Sequence, residues 1–190
     1  MPLYPVMLDL TDVRCLIVGG GTVAARKASE LVACGALVTV ISPVICPELR
    51  ALAVAQLLER KHQPGDGSDF QLIMTATDDP AVNALVAREA RARNQWVNAA
   101  DDPENCSFIL PALIRRGPVT IAVSTGGASP SLAGWLRDRI GASVGPEVGD
   151  AAEALAAERA ALHKRGETTE GIDWRSRIEE LLGTASAREH

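Results

Sequence analysis

The chain has 190 residues, of which 47% are hydrophobic, 23% charged and only 3% aromatic, enough for one substantial core or for a domain of about 100–150 residues with an appendage. A formal charge of −5 and the scarcity of aromatics argue against a nucleic-acid-stacking surface or an anionic membrane as partner. No apolar run is long enough to cross a bilayer, and Met1 to Leu10 lack the basic stretch and apolar run of a secretory leader, so the cytoplasm is the expected compartment.

The elements are expected in this order. Arg14 to Gly19 (RCLIVG) reads as a short buried strand that stops at glycines. Ala24 to Cys34 reads as a helix, with Ala25, Ala28, Leu31 and Val32 on its apolar face and Arg26, Lys27 and Glu30 on the other. Gly35 ends it, and ALVTVIS forms the second strand. A less regular helix is expected from Leu49 to Arg60, followed by the turn-rich HQPGDGSD and the strand FQLIMTAT. Asp78 or Asp79 then caps a helix that opens at Pro80 and runs to Arg93, and QWVNAA is the next strand.

Alternation of strand and helix predicts a doubly wound parallel sheet with right-handed crossovers, which gathers the carboxyl ends of the strands at one edge. The pattern then changes. SFILPALIRRG and PVTIAVSTGG read as an antiparallel hairpin, and SPSLAGWLRDRI as a helix capped by Ser129 with Pro130 in its first turn. Asp150 to His190 reads as two helices around the loop KRGETTEGID, with a frayed tail. Cys15, Cys34, Cys46 and Cys106 are scattered without a CxxC pair or a neighbouring histidine, so neither a resident metal site nor a disulfide framework is expected.

The run VGGGTVAARKA carries G-x-G-x-x-A at Gly19, Gly21 and Ala24, between a strand and a helix. In that context the first glycine permits the tight turn and the second lets a pyrophosphate approach the backbone. The alanine lets the helix pack close to the sheet, and the phosphates lie on the helix N-terminus. The residues thus favour a Rossmann-like dinucleotide site. The acid that usually holds the ribose, about 20 residues on, is missing: the second strand ends TVISP. No arginine stands there for a 2′-phosphate either, which favours NAD over NADP, with the backbone of Ser42, Pro43 and Val44 receiving the adenosine.

Two further features read as candidate sites, the first at the carboxyl edge of the sheet, where ligands bind. Asp101 and Asp102 follow the last parallel strand. Asp102, before Pro103, reads as the start of a turn, whereas Asp101 could serve as a general base or as a plain surface acid. STGGASPS, with Thr125, Gly126 and Gly127 ahead of a helix, could receive an anion with help from Arg115, Arg116 and Arg137. It could equally be an ordinary turn beside surface charges.

The order of these motifs is more specific than any one of them. MPLYPVMLDLTDVRCLIVGGGTVAARKASELVACGA, ATDD with its following VN, and VNAADDPENCSFILPALIRRGPVTIAVSTGGASPSLAGWLRDRI together closely resemble the precorrin-2 dehydrogenase/sirohydrochlorin ferrochelatase family of sirohaem synthesis. The resemblance spans about residues 1 to 145. It implies NAD-dependent oxidation of precorrin-2 to sirohydrochlorin and, in many members, insertion of Fe2+ as a substrate metal to give sirohaem. It also implies a homodimer built partly by the segment from about Ala112 to Gly145, and a separate protein as the source of methylation.

By position, the resemblance assigns the family's key aspartate to Asp101. It assigns the NAD contacts to the loop around Thr22 and Val23 and to the turn at Pro43 and Val44, and a serine of the family's SSGG to Thr125. Arg115, Arg116 and Arg137 become candidate counter-charges for the tetrapyrrole carboxylates. The expected organisation is α/β: a Rossmann domain over residues 1–111, a small α+β dimerisation segment over 112–147 and a helical region over 148–190. Two alternatives remain at this point: an NAD-sensing module without catalysis, and a chelatase that has abandoned NAD.

Overall fold

The computed structural model of the protein describes residues 3–100 and 102–183. They form two compact units that divide after Ile109. The first contains five strands, β1 (Arg14–Val18), β2 (Leu37–Ile41), β3 (Gln56–Leu58), β4 (Leu72–Thr75) and β5 (Trp96–Ala99), and three helices, α1 (Thr22–Ala33), α2 (Pro47–Arg50) and α3 (Pro80–Ala92). All strand pairings are parallel, in the order β3-β2-β1-β4-β5. The sheet is doubly wound as expected.

Strand periodicity explains the two cores. Cys15 and Ile17 of β1 point with Val38, Val40, Leu72 and Met74 into a cluster closed by Ala24, Ala28 and Leu31 of α1. Leu16 and Val18 point the other way, joining Ile41, Ile73 and Val97 beneath Val86, Ala87 and Ala90 of α3. Both faces are covered, which is why these strands read as continuous apolar runs. Burial pushes the Cys15 thiol up to about 11, and all four cysteines are free thiols.

Two expectations need correction. The helix expected from Leu49 to Arg60 is only the single turn α2; Gln56–Leu58 is the edge strand β3. The outer edge of β2 presents unpaired peptide groups, and Ala55 N–H donates to Val38 O while Ser42 N–H donates to Leu58 O. Leu57 and Leu58 then pack into opposite cores, so sheet pairing overrides local helix propensity. The second correction concerns Lys27, expected on the polar face of α1. It is only 7% exposed.

The second unit begins with the antiparallel hairpin β6 (Ala112–Arg116) and β7 (Val119–Val123), as expected. Three helices follow: α4 (Pro130–Ala142), α5 (Glu147–Lys164) and α6 (Trp174–Leu181). Ser129 caps α4 through Leu132 N–H. The buried Gly149 lets α5 close on the hairpin turn, since a Cβ there would stand 2.7 Å from Arg116 O. Arg177 Nε bonds Glu158 at 2.9 Å and ties α6 to α5. Core side chains are few here: Ile114, Ala133 and Ala151 are the buried apolar ones among the described residues. The tail expected beyond α6 lies mostly outside the described residues.

Candidate dinucleotide site

Strands β1 and β4 are neighbours, and the chain winds outward from them in opposite directions. Their carboxyl ends are therefore the topological switch point, where open α/β sheets bind ligands. Gly19 follows β1 there. Its φ of +132° is open to glycine, and a Cβ would stand 2.2 Å from Ala76 O, the residue after β4. The turn is closed by Gly19 N–H donating to Ile41 O and Ala76 N–H donating to Val18 O.

The next two glycines differ in kind. Gly20 is buried, and a Cβ on it would meet Val44 O at 1.9 Å and Ser42 Oγ at 2.6 Å. Its own carbonyl accepts from Cys46 N–H at 2.8 Å. Gly20 thus seats the glycine loop against the Ser42–Val44 turn, which Ser42 Oγ braces by donating to Val44 O. Gly21 is exposed, and a Cβ on it would meet nothing within 4 Å. It is the N-cap of α1, with no side-chain cap. An uncapped helix N-terminus in open space leaves backbone N–H groups directed outward, with the helix dipole favouring an anion.

The sequence-assigned cofactor residues are brought together on this surface. Thr22 and Val23 open α1 at the surface, Val23 being 44% exposed, while Ala24 is fully buried against the sheet. Pro43 and the 75%-exposed Val44 lie across the Gly20 contact from them. Backbone amides for a pyrophosphate and an adjacent apolar turn for an adenosine are what a dinucleotide requires, so the residues fit that group. A hollow of about 620 Å3 lies at the opposite, amino-terminal edge, among Arg14, Phe70, Gln71, Arg93 and Trp96.

At the same carboxyl edge, Asp79 caps α3 by accepting from Ala81 and Val82 N–H. Asn83 clamps the preceding loop: its Oδ1 accepts from Thr77 Oγ1 at 2.8 Å and its Nδ2 donates to Thr77 O at 3.0 Å. Asp101, the expected general base, lies outside the described residues. The residues on either side of it in the sequence make hydrogen bonds of their own. Ala100 N–H donates to Thr75 Oγ1 and O, both at 3.3 Å. Asp102 turns away into a 3-10 turn, Pro103–Asn105, with its carboxylate accepting from Asn105 Nδ2 at 2.6 Å.

In the second unit, Gly126 and Gly127 have φ of +64° and +88°. The Thr125 hydroxyl is used locally, accepting from Ser129 N–H and donating to Ser129 O, each at 3.0 Å. The three arginines separate by partner. Arg116 donates to Val144 O at 2.9 Å and to Gly141 O at 3.3 Å. Arg137 pairs with Asp138 at 2.8 Å, and Arg115 is exposed on β6.

Sequence reasoning missed Gly20, Lys27, Asn83, Asn98 and Cys106. For Lys27 a signal existed, since Ala24, Lys27, Ala28 and Leu31 fall at i, i+3, i+4 and i+7 on one helix face. Among the described residues, no three His, Cys, Asp or Glu side chains converge as a metal site would require. No helix among them is long and apolar enough to cross a membrane.

Comparison with known proteins joins this geometry to a family. The family described as putative NAD(P)-binding matches residues 6–112, and the family described as sirohaem biosynthesis protein central matches residues 116–143. The chain is 41% identical to the siroheme synthase of Methylococcus capsulatus, over 100% of this chain and 37% of that protein. It is 46% identical to that of Thioalkalivibrio sulfidiphilus, over 74% of this chain and 29% of that protein. It therefore spans about two fifths or less of the length of these curated relatives. Among solved structures it is similar to SirC, a precorrin-2 dehydrogenase, with a TM-score of 0.75 and 27% identity, over 95% of this chain and 88% of that one. With the first family model covering more than half of its residues, and residues 116–143 matching the second, the chain belongs to the family described as putative NAD(P)-binding.

Proposed function

We propose that this chain is an NAD-dependent precorrin-2 dehydrogenase, producing sirohydrochlorin for sirohaem synthesis. The observation that carries the reading is the exposed, uncapped N-terminus of α1 at Gly21, set at the switch point of the sheet. The similarity to SirC across nearly the whole chain supports it. When bound, NAD supplies the hydride acceptor. The chain's own part is to hold and orient it: the amides after Gly21 take the pyrophosphate, Thr22 and Val23 flank it, and Pro43 and Val44 receive the adenosine. Oxidation sends one hydride to the nicotinamide and one proton to a base. The carboxylate of Asp101 is assigned that proton, and because Ala100 is fixed by Thr75, the base leaves β5 from an anchored point.

The tetrapyrrole carries carboxylates, for which Arg115, Arg116 and Arg137, with the Thr125–Gly127 turn, are the assigned counter-groups. Fe2+ enters as a second substrate, for chelation after oxidation. The enzyme works as a cytoplasmic homodimer, with residues 1–111 as cofactor domain, 112–147 as dimerisation segment and 148–190 as helical region. The thin core of the second unit supports the dimer: Leu132 and Trp135 of α4 are 48% and 55% exposed, an apolar surface suited to a second copy.

The test is direct. The protein is incubated anaerobically with precorrin-2 and NAD while NADH and the macrocycle spectrum are followed, and Fe2+ is then added. NADH and sirohydrochlorin are expected, then sirohaem, with Asp101→Asn lowering the first step by at least about a hundredfold. No NADH from the wild type refutes the dehydrogenase. NADH without sirohaem refutes the chelatase alone.

A further inference from the structure

The cofactor surface of the first unit overlies a buried charge. Lys27 is the only charged side chain that is buried among the described residues. Its Nζ donates to Asn98 Oδ1 at 2.7 Å and to Thr75 O at 3.4 Å. Desolvating an ammonium is costly even when polar partners receive it, and an apolar side chain of similar shape often serves stability as well or better. A lysine held here has a use beyond filling space.

Thr75 and Asn98 indicate that use. Thr75 ends β4, and its hydroxyl and carbonyl both accept from Ala100 N–H. Asn98 lies in β5, and its Nδ2 donates to Phe108 O at 3.1 Å and toward Cys106 Sγ at 3.7 Å. The Cys106 thiol accepts from Ala99 N–H at 3.2 Å and donates within 3.3 Å of Ala99 O and Asp102 O. Ser107 Oγ accepts from Val97 N–H at 2.7 Å. The chain that leaves β5 at Ala100 and returns at Ser107 and Phe108 is thus fastened on both limbs: Lys27 holds Asn98, which reaches the returning limb through Phe108 O, and Thr75 of β4, to which the outgoing limb is tied through Ala100 N–H. Asp101 belongs to that segment by its place in the sequence.

We propose that Lys27 is a positioning residue for the dehydrogenation. By holding Thr75 and Asn98 from α1, the helix that opens at the glycine loop, it keeps the end of β5 at Ala100, which Asp101 follows in the sequence, and the returning limb at Phe108 in register with that loop. Lys27 is itself buried. Asn98 suits the link because its oxygen accepts from the ammonium while its nitrogen donates to Phe108, so one planar amide joins both. The inference rests on the dehydrogenase reading above.

Steady-state oxidation and the thermal shift caused by NAD alone are measured on the full chain for wild type, Lys27→Met and Asn98→Asp. The last keeps an acceptor for Lys27 and loses the donor to Phe108, so it carries the test if Lys27→Met does not fold. A loosened base with an intact cradle predicts kcat lower by about ten- to hundredfold, with the KM for NAD and the NAD thermal shift within about twofold of wild type. An inactive wild type refutes the dehydrogenase reading, and the inference falls with it. With an active wild type, two results overturn the inference alone. One is kcat within about twofold of wild type; the other is NAD affinity falling in step with kcat, the mark of a merely structural lysine.

Discussion

Alanine placed at Gly20 and at Gly21 should have opposite consequences, although the residues are adjacent and chemically identical. At Gly21 the backbone angles, φ −86° and ψ −172°, suit alanine, and a Cβ meets nothing within 4 Å. Relief of unfolded-state entropy and the poorer N-cap nearly cancel, so stability should move by no more than about 0.5 kcal/mol. The added methyl stands where the pyrophosphate must approach. Losing one charge-assisted hydrogen bond costs about 1.5–3 kcal/mol, or about ten- to hundredfold in affinity. At NAD a hundredfold above its wild-type Kd, binding stabilises the protein by about 2.7 kcal/mol, a rise in Tm of about 5–11 °C for a chain of this length. A hundredfold weaker variant at the same concentration should gain only about 1–2 °C. Gly20→Ala instead drives a methyl into Val44 O. Overpacking against backbone should cost about 3 kcal/mol, lowering Tm without ligand by about 6–12 °C. Differential scanning fluorimetry with and without NAD separates the two. A full NAD shift in Gly21→Ala would remove the pyrophosphate from this loop, and a Gly20→Ala protein as stable as wild type would refute the packing argument.

Other substitutions divide in a similar way. Arg116→Ala should lower stability by about 1–2 kcal/mol in urea titration, because its guanidinium bridges Val144 O and Gly141 O. Arg115→Ala should leave stability within about 0.5 kcal/mol and instead raise the KM for the tetrapyrrole. Removing the α3 cap with Asp79→Ala should cost about 1 kcal/mol, read as a fall in Tm of about 2–4 °C, while Asp78→Ala should not. Asp66 has its carboxyl held below the usual range, first by its hydrogen bonds from Arg60. Its contribution is therefore present above the unfolded carboxyl value of about 3.9 and is lost as pH falls through the lower folded value. Asp66→Asn should make urea stability depend less steeply on pH below about 4.

Local chemistry was legible in the sequence wherever one segment sufficed to determine it. Asp79 with Pro80, and Ser129 with Pro130, mark helix starts because a cap is satisfied within three residues. The apolar runs at β1 and β4 mark strands covered on both faces. The strand β3 was not legible, because Gln56–Leu58 is held by the edge of β2, 17 residues away in sequence, rather than by its own propensity. Lys27 was misplaced for a related reason. A helical wheel ranks residues by polarity, whereas the arc of α1 that faces the sheet includes a point where Asn98 and Thr75 O offer polar partners to a cation.

The same distinction explains why the candidate site was only half legible. A pyrophosphate cradle is made of backbone, so the sequence can announce it only through what is missing, a Cβ. The motif marks every such absence alike. Only the structure separates them: Gly19 is needed for its positive φ against Ala76, Gly20 for contact with Val44, and Gly21 for open space. One of the three therefore concerns the ligand directly, and the other two hold the loop that presents it. The proposed catalytic half runs the other way. The proposed base, Asp101, is visible in the sequence as a carboxylate, but the groups that hold its described neighbours are a lysine on α1, a threonine ending β4, and an asparagine and a cysteine flanking the turn. Those residues are spread over about 80 positions and meet only because parallel β4 and β5 bring their carboxyl ends beside α1. Reading such a site from sequence alone thus names a candidate for the chemistry and omits the groups that brace the chain on either side of it.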